Sequence, residues 1–212
     1  MSLLDFLEKG GYLMYPLGLC FLVAAAIYFE RLWALASIRV RPSGFVQMLL
    51  RFIHSGDYEK AETACVQSQS TFALIAFAAL RHRSLGRTEL KHVTDEKGSL
   101  EIARLERGIG VVGTMASIAP LLGLLGTVTG MIQVFRKIAE ETDPQIDVLA
   151  GGIWEALVST GAGLTVAIPC YIAYRHLLSR VDNAAMQLEE TTIEVIDALS
   201  EPGAPRSLGY DD

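Results

Sequence analysis

The sequence predicts an all-α membrane protein in which three transmembrane helices extend into long cytoplasmic helices. Three observations predict it. The chain of 212 residues is 51% hydrophobic and 20% charged, below the roughly one quarter of charged residues in soluble domains, and its mean hydropathy is +0.35. The apolar residues are gathered into three long runs. Outside those runs apolar residues recur at helical spacing, with no strand-like alternation and no internal repeat.

Residues 12–29 hold no charge over 18 positions, residues 109–135 hold none over 27, and residues 148–174 hold one, Glu155. At about 1.5 Å rise per residue, each run can cross a hydrocarbon core roughly 30 Å thick. Residues 72–80 are too short to cross and read as the buried face of a soluble helix. The first run is expected to be retained rather than cleaved. Asp5 and Glu8 outweigh Lys9 before it, whereas a secretory leader needs a positive start. It also ends in Glu30-Arg31-Leu32-Trp33, a helix leaving the bilayer with an aromatic at the interface.

Basic residues near span ends mark the cytoplasmic side. Arg31, Arg39 and Arg41 follow the first span, Lys97, Arg104 and Arg107 precede the second, and Arg175 and Arg180 follow the third. Between the second and third spans, Arg136 and Lys137 face Glu140, Glu141, Asp143 and Asp147. The expected organisation is a periplasmic N-terminus (1–11), a span (12–33), a cytoplasmic helical domain (34–107), a span (108–135), a periplasmic loop (136–147), a span (148–174), a cytoplasmic helix (175–200) and a disordered tail (201–212). In the cytoplasmic domain, Pro42 and Ser43 open a stretch with Phe45, Val46, Leu49, Leu50 and Ile53 at helical spacing. Asp57 is placed to cap the next helix. Helices are expected over 71–84 and 88–107, the latter able to run straight into the second span as one rod. The stripe of Leu178, Val181, Ala185, Leu188, Thr192, Val195 and Leu199 makes the 175–200 helix a continuation of the third span.

Several function classes are excluded on composition and spacing. A net charge of −6 gives no basic excess for nucleic-acid phosphates. Cys20, Cys65 and Cys170 are odd in number and widely spaced, unlike a disulfide framework or zinc site. His54, His82, His92 and His176 show no metal-ligand spacing. Residues 108–113 match GxGxxG, but a charged segment precedes them and an apolar span follows. A dinucleotide site needs a strand before the glycines and an acid about 20 positions later; here the glycines read as close helix packing. With no HExxH, no GxSxG and no nucleophile paired with a base in the spans, no catalytic residue, metal or cofactor is expected.

Glu155 is the sharpest signal. A carboxylate deep in a bilayer costs roughly 2.5–3.5 kcal/mol on insertion scales, so it faces protein or water and marks an ion path more often than mere glue. Thr127 lies about 12 Å below the external end of the second span, and Glu155 and Thr160 lie about 10 and 18 Å below the same face of the third. The three form one polar layer, the expected ion pathway. Each threonine alone would be read as bonding the carbonyl one turn back. Ala116, Pro120, Gly123, Gly126 and Gly130 on the second span, and Gly163 and Pro169 on the third, are the expected pore-lining and helix-packing positions. Glu155 and Thr160 stand about 140° apart around their helix; either both reach one lumen, or one lies between subunits. A lone three-helix protein hides this layer poorly, so a homo-oligomer is expected.

The second span, with Ala119-Pro120-Leu121-Leu122-Gly123-Leu124-Leu125-Gly126-Thr127-Val128, resembles the ExbB/TolQ/MotA family of bacterial inner-membrane ion channels. So does the third, with Glu155-Ala156-Leu157, Thr160, Gly163-Leu164 and Ala167-Ile168-Pro169. Glu30-Arg31-Leu32, Gly56-Asp57 and Ala61 also fit, and the likeness is closest to the three-span ExbB and TolQ branch, over about residues 12–178. Arg175 stands where the family usually has Asn, Trp154 where a small residue is common, and Gly161 and Gly163 bracket Ala162. The resemblance implies a homopentameric ring in the inner membrane. Single-span ExbD- or TolR-like partners thread it, each carrying an intramembrane aspartate, and a periplasm-spanning TonB- or TolA-like protein lies beyond. It implies a proton channel that turns proton motive force into motion of that partner, and it matches Thr127, Thr160 and Glu155 to the channel residues. Sodium in place of protons, a flagellar-type stator and a structural oligomer without ion flux are the alternatives. The absence of a fourth long apolar run disfavours the stator.

Overall fold

The computed structural model describes residues 11–37, 44–68, 70–140 and 146–200. Among them stand seven helices: α1 (Met14–Ser37), α2 (Phe45–His54), α3 (Tyr58–Ser68), α4 (Thr71–Arg81), α5 (Arg87–Glu106), α6 (Ile109–Glu140) and α7 (Ile146–Ser200). No described residue is in a strand. α1, α6 and α7 each hold a stretch long and apolar enough to cross a membrane. The expectations for residues 1–10, for Pro42 and Ser43, for 141–145 of the external loop and for the tail 201–212 lie outside the described residues.

The chain divides into two compact units. The first takes residues up to 32 together with 108–178, and it holds all three apolar runs. One edge of α1 is buried, with Met14 and Leu17 against Ala119, Ala162 and Ala167, and Ala24 against Val112, Ala116 and Cys170. Tyr15, Leu19, Leu22 and Phe29 of α1 are exposed. Leu121, Leu124 and Val128 on α6, and Leu157, Ile168 and Ile172 on α7, are exposed as well. In water each such side chain would forfeit about 25 cal/mol per Å² of apolar surface; against lipid or another copy of the chain it does not. Near the far end of this unit the Tyr28 hydroxyl and His176 Nδ1 are 3.0 Å apart and join α1 to α7.

The continuous rod that residues 88–107 could have made with the second span does not form. α5 stops at Glu106, Arg107 turns to an extended conformation, and Gly108 has φ +84°, the left-handed conformation in which glycine ends helices. The signal was the glycine itself, read only as part of GxGxxG. The opposite end behaves as expected: α7 is one helix of 55 residues, with Pro169 inside it.

The second unit takes residues 33–107 and those from 179 onward. α2, α3, α4, α5 and the last turns of α7 enclose a core of Leu49, Ile53, Phe72, Ile75, Leu80, Leu90, Val195 and Ile196. The short apolar run at 72–80 is indeed a buried helix face, with Phe72, Ala73, Ile75, Ala76, Ala79 and Leu80 buried. Ser70 caps α4 by accepting from the Ala73 amide at 3.2 Å. Asp57 precedes α3, and its carboxylate is engaged by Lys60; that hydrogen bond holds Asp57 below the usual carboxylate range. Arg87 donates through two nitrogens to Asp197 Oδ1, at 3.1 and 2.6 Å. Cys65 is buried, and burial, with help from the Glu62 charge, pushes its thiol up to about 12.

Candidate functional site

α6 and α7 run antiparallel along a seam of small residues. A Cβ added at Gly163 would meet the Ala119 carbonyl oxygen at 2.7 Å and Gly123 Cα at 2.9 Å. One added at Gly123 would meet the Ser159 carbonyl oxygen at 3.0 Å and Thr160 Cα at 3.1 Å. Toward the C-terminal end of α6, Gly130 faces Ala156 and Gly152 faces Val134; toward its N-terminal end, Gly113 lies under the Tyr174 ring. At the Gly123–Gly163 crossing the atoms that meet are backbone on both sides, so there the two helices approach as closely as glycine allows. Ala116 is buried beside Cys170. Pro120 is half-buried within α6, and Pro169 is exposed, beside Phe21, Ala24 and Ala25 of α1.

This register sets the height of the polar groups. Gly126 lies against Ser159, and Gly130 against Ala156, so Thr127 is level with the turn of α7 between Glu155 and Thr160. The threonines are nonetheless engaged differently. Thr160 Oγ1 crosses the seam and donates to the Gly123 carbonyl at 3.0 Å. Thr127 Oγ1 donates to Leu124 O of its own helix at 2.7 Å, and Thr129 donates to Leu125 O at 2.9 Å and Gly126 O at 3.1 Å. Thr127 and Thr129 therefore make the local bond available to any helical threonine, whereas Thr160 bridges two helices.

Glu155 is exposed and points to a different neighbour from Thr160. Its carboxylate lies against Gly11, where the chain enters α1: a Cβ on Gly11 would overlap Oε1 and stand 3.2 Å from Cδ. One turn along, Ser159 is buried, and its hydroxyl has no hydrogen-bond partner among the described residues. It faces Gly126, beside Leu13. Neither Gly11 nor Ser159 was singled out from the sequence. The spacing of Ser159 from Glu155, one helical turn, was a usable signal; the contact of Gly11 joins residues 144 positions apart in the sequence and left none. No group of three or more His, Cys, Asp or Glu able to hold a metal ion stands among the described residues.

Residues 67–190, more than half of the chain, match the MotA/TolQ/ExbB proton channel family. The chain belongs to that family. The matched segment carries the whole α6–α7 seam and all three groups of the polar layer. Over 180 residues the chain is 32% identical to the ExbB-like 1 biopolymer transport protein of Synechocystis, covering 84% of this chain and 71% of that protein. It is 27% identical over 189 residues to a biopolymer transport ExbB homologue of Methanothermobacter thermautotrophicus, covering 89% and 67%. It is 39% identical over 82 residues to the Tol-Pal system protein TolQ of Haemophilus influenzae, covering 39% of this chain and 36% of that one. These relatives are named as transport and Tol-Pal proteins, not as enzymes. In this member of the family, the apolar exposed faces of α1, α6 and α7 belong to a membrane protein.

Proposed function

We propose that the protein is the proton-channel subunit of an ExbB/TolQ-like motor in the bacterial inner membrane. Five copies form a ring around helices of an ExbD- or TolR-like partner. The observation that carries this reading is the polar layer: Thr127 is level with the turn of α7 between Glu155 and Thr160, within the long apolar stretches of a proton-channel family member. The partner's intramembrane aspartate is neutral against the apolar wall, because burial disfavours its charged form. Beside Glu155 and the two hydroxyls it exchanges a proton. Successive copies around the ring offer equivalent exchange sites, so proton flow moves the partner, which works on the periplasm or outer membrane through a TonB- or TolA-like protein.

A second reading has one observation in its favour. The Thr160 hydroxyl is spent on the Gly123 carbonyl, as it would be in a membrane protein whose polar groups only pack its helices, without ion flux. The two readings part at assembly. In the first, the wild-type protein in mild detergent is a homo-oligomer of five that carries a small single-span chain with an intramembrane Asp, and native mass spectrometry reads both masses. A monomer across several lipids counts against the ring, and a bare oligomer with no such chain favours the structural reading.

The proposed orientation places the N-terminus and residues 136–147 outside, and 34–107 and 175–200 inside. A cysteine replacing Asp143 should react with an impermeant maleimide in intact spheroplasts, and one replacing the exposed Gln67 should react only after permeabilisation. Cys65 is a poor reporter of sidedness: it is buried, and with its thiol pushed up to about 12 its thiolate is scarce on either side of the membrane. The reverse labelling pattern would overturn the orientation.

A further inference from the structure

Most of the polar layer is supplied by α6 and α7, but one wall around Glu155 comes from the chain entering α1. Gly11 has φ +70°, and its carbonyl accepts from the Met14 amide at 3.2 Å to start the helix. That turn lays one edge inward. Leu13, Met14 and Leu17 are 7%, 5% and 2% exposed, while the neighbouring Tyr12 and Tyr15 are 61% and 80% exposed. Leu13 lies over the Gly126–Ser159 contact, its Cδ1 3.5 Å from where a Gly126 Cβ would stand, and Gly11 lies on the Glu155 carboxylate. The entry of α1 thus covers the turn of α7 that runs from Glu155 to Ser159.

We propose that Gly11 is a positioning residue for Glu155: its bare Cα lets the carboxylate rest against the start of α1, which closes one side of the group and leaves the other open for exchange. This rests on the reading of Glu155 as part of the proton path. Two properties of the position are separable. The positive φ asks for a residue that tolerates left-handed backbone, which Asn does better than Ala. A Cβ has room only if Oε1 moves from where it lies, so Ala and Asn alike would push the carboxylate aside. A shorter acid at 155 would withdraw its carboxylate by one methylene and make room for the Cβ.

The test is proton flux into liposomes holding the full protein with its co-purifying partner. Gly11→Ala and Gly11→Asn should both lower flux, by about tenfold to a hundredfold, the scale of an ångström-sized misplacement of a reacting group. Combining Gly11→Ala with Glu155→Asp should restore flux to at least the level of Glu155→Asp alone. If Gly11→Ala fails to assemble, the same rescue is read as recovery of the oligomer on adding Glu155→Asp. Wild-type flux in Gly11→Ala, recovery in Gly11→Asn, or losses that merely multiply in the double variant would overturn the proposal. So would an assembly defect that Glu155→Asp leaves unchanged. Glu155→Gln tells the two failures apart: if it conducts like wild type, the reading of Glu155 fails. If it is silent while Gly11→Ala is normal, only the role of Gly11 fails.

Discussion

Gly163→Leu should dismantle the membrane unit. The side chain would start from a Cβ 2.7 Å from the Ala119 carbonyl oxygen and 2.9 Å from Gly123 Cα. Those neighbours are backbone and cannot turn aside, so α6 and α7 must separate. Separation also opens the Gly126–Ser159 and Gly130–Ala156 contacts along the same seam. Overpacking a filled interior typically costs about 1–3 kcal/mol, and a full leucine against backbone belongs at the upper end or beyond. The expected result is loss of the oligomer in native mass spectrometry and a collapse of thermal stability in detergent. Gly161→Ala is the control, because a Cβ there meets nothing within 4 Å; it should leave assembly intact. A Gly163→Leu protein as stable as wild type would mean the seam is not packed as described.

Glu155→Gln should silence proton flux while leaving assembly and partner binding in place. The amide keeps the volume and hydrogen-bonding capacity of the acid and removes only the titratable proton. Groups that transfer protons contribute about a hundredfold or more to the steps they serve, so the loss should be at least of that order. Thr127→Val and Thr160→Val keep shape and remove the hydroxyl, and both should lose flux. Their accompanying structural costs differ. Thr127 gives up a bond within its own helix, whereas Thr160 gives up the bond that crosses to Gly123, so Thr160→Val should also lower thermal stability. Thr129→Val should be mild, because its hydroxyl serves only Leu125 and Gly126 of its own helix and it lies about 200° around α6 from Thr127. Loss confined to Thr129→Val would mean that the wrong face of α6 has been assigned to the path.

The three crossing helices were legible because length and lack of charge are properties of the sequence alone. The continuity of α7 was legible too, because an apolar stripe at spacings of three and four carries through residues 178–199 without a break. The interruption at Arg107 and Gly108 was left open. Charged helix and apolar span abut there, and a single glycine at positive φ decides between a rod and a turn. The common height of Thr127, Glu155 and Thr160 followed from counting residues from the external ends. The neighbours of each did not. Which side of α7 meets α6 depends on the antiparallel register, and that register is set by glycines whose partners lie about 40 positions away, as Gly123 does from Gly163. The orphaned Ser159 hydroxyl and the Gly11 contact depend further on how the start of α1 docks, which no local pattern encodes.

The central claim is that the Glu155 carboxylate lies in a proton path. The most direct measurement is acidification inside liposomes that hold the protein and its partner, under an imposed membrane potential, with wild type and Glu155→Gln compared at equal oligomer content. The account predicts acidification by the wild type, unchanged when sodium is exchanged for potassium, and none above empty liposomes for Glu155→Gln. Equal acidification by the two proteins, or none by the wild type with its partner bound, would contradict it.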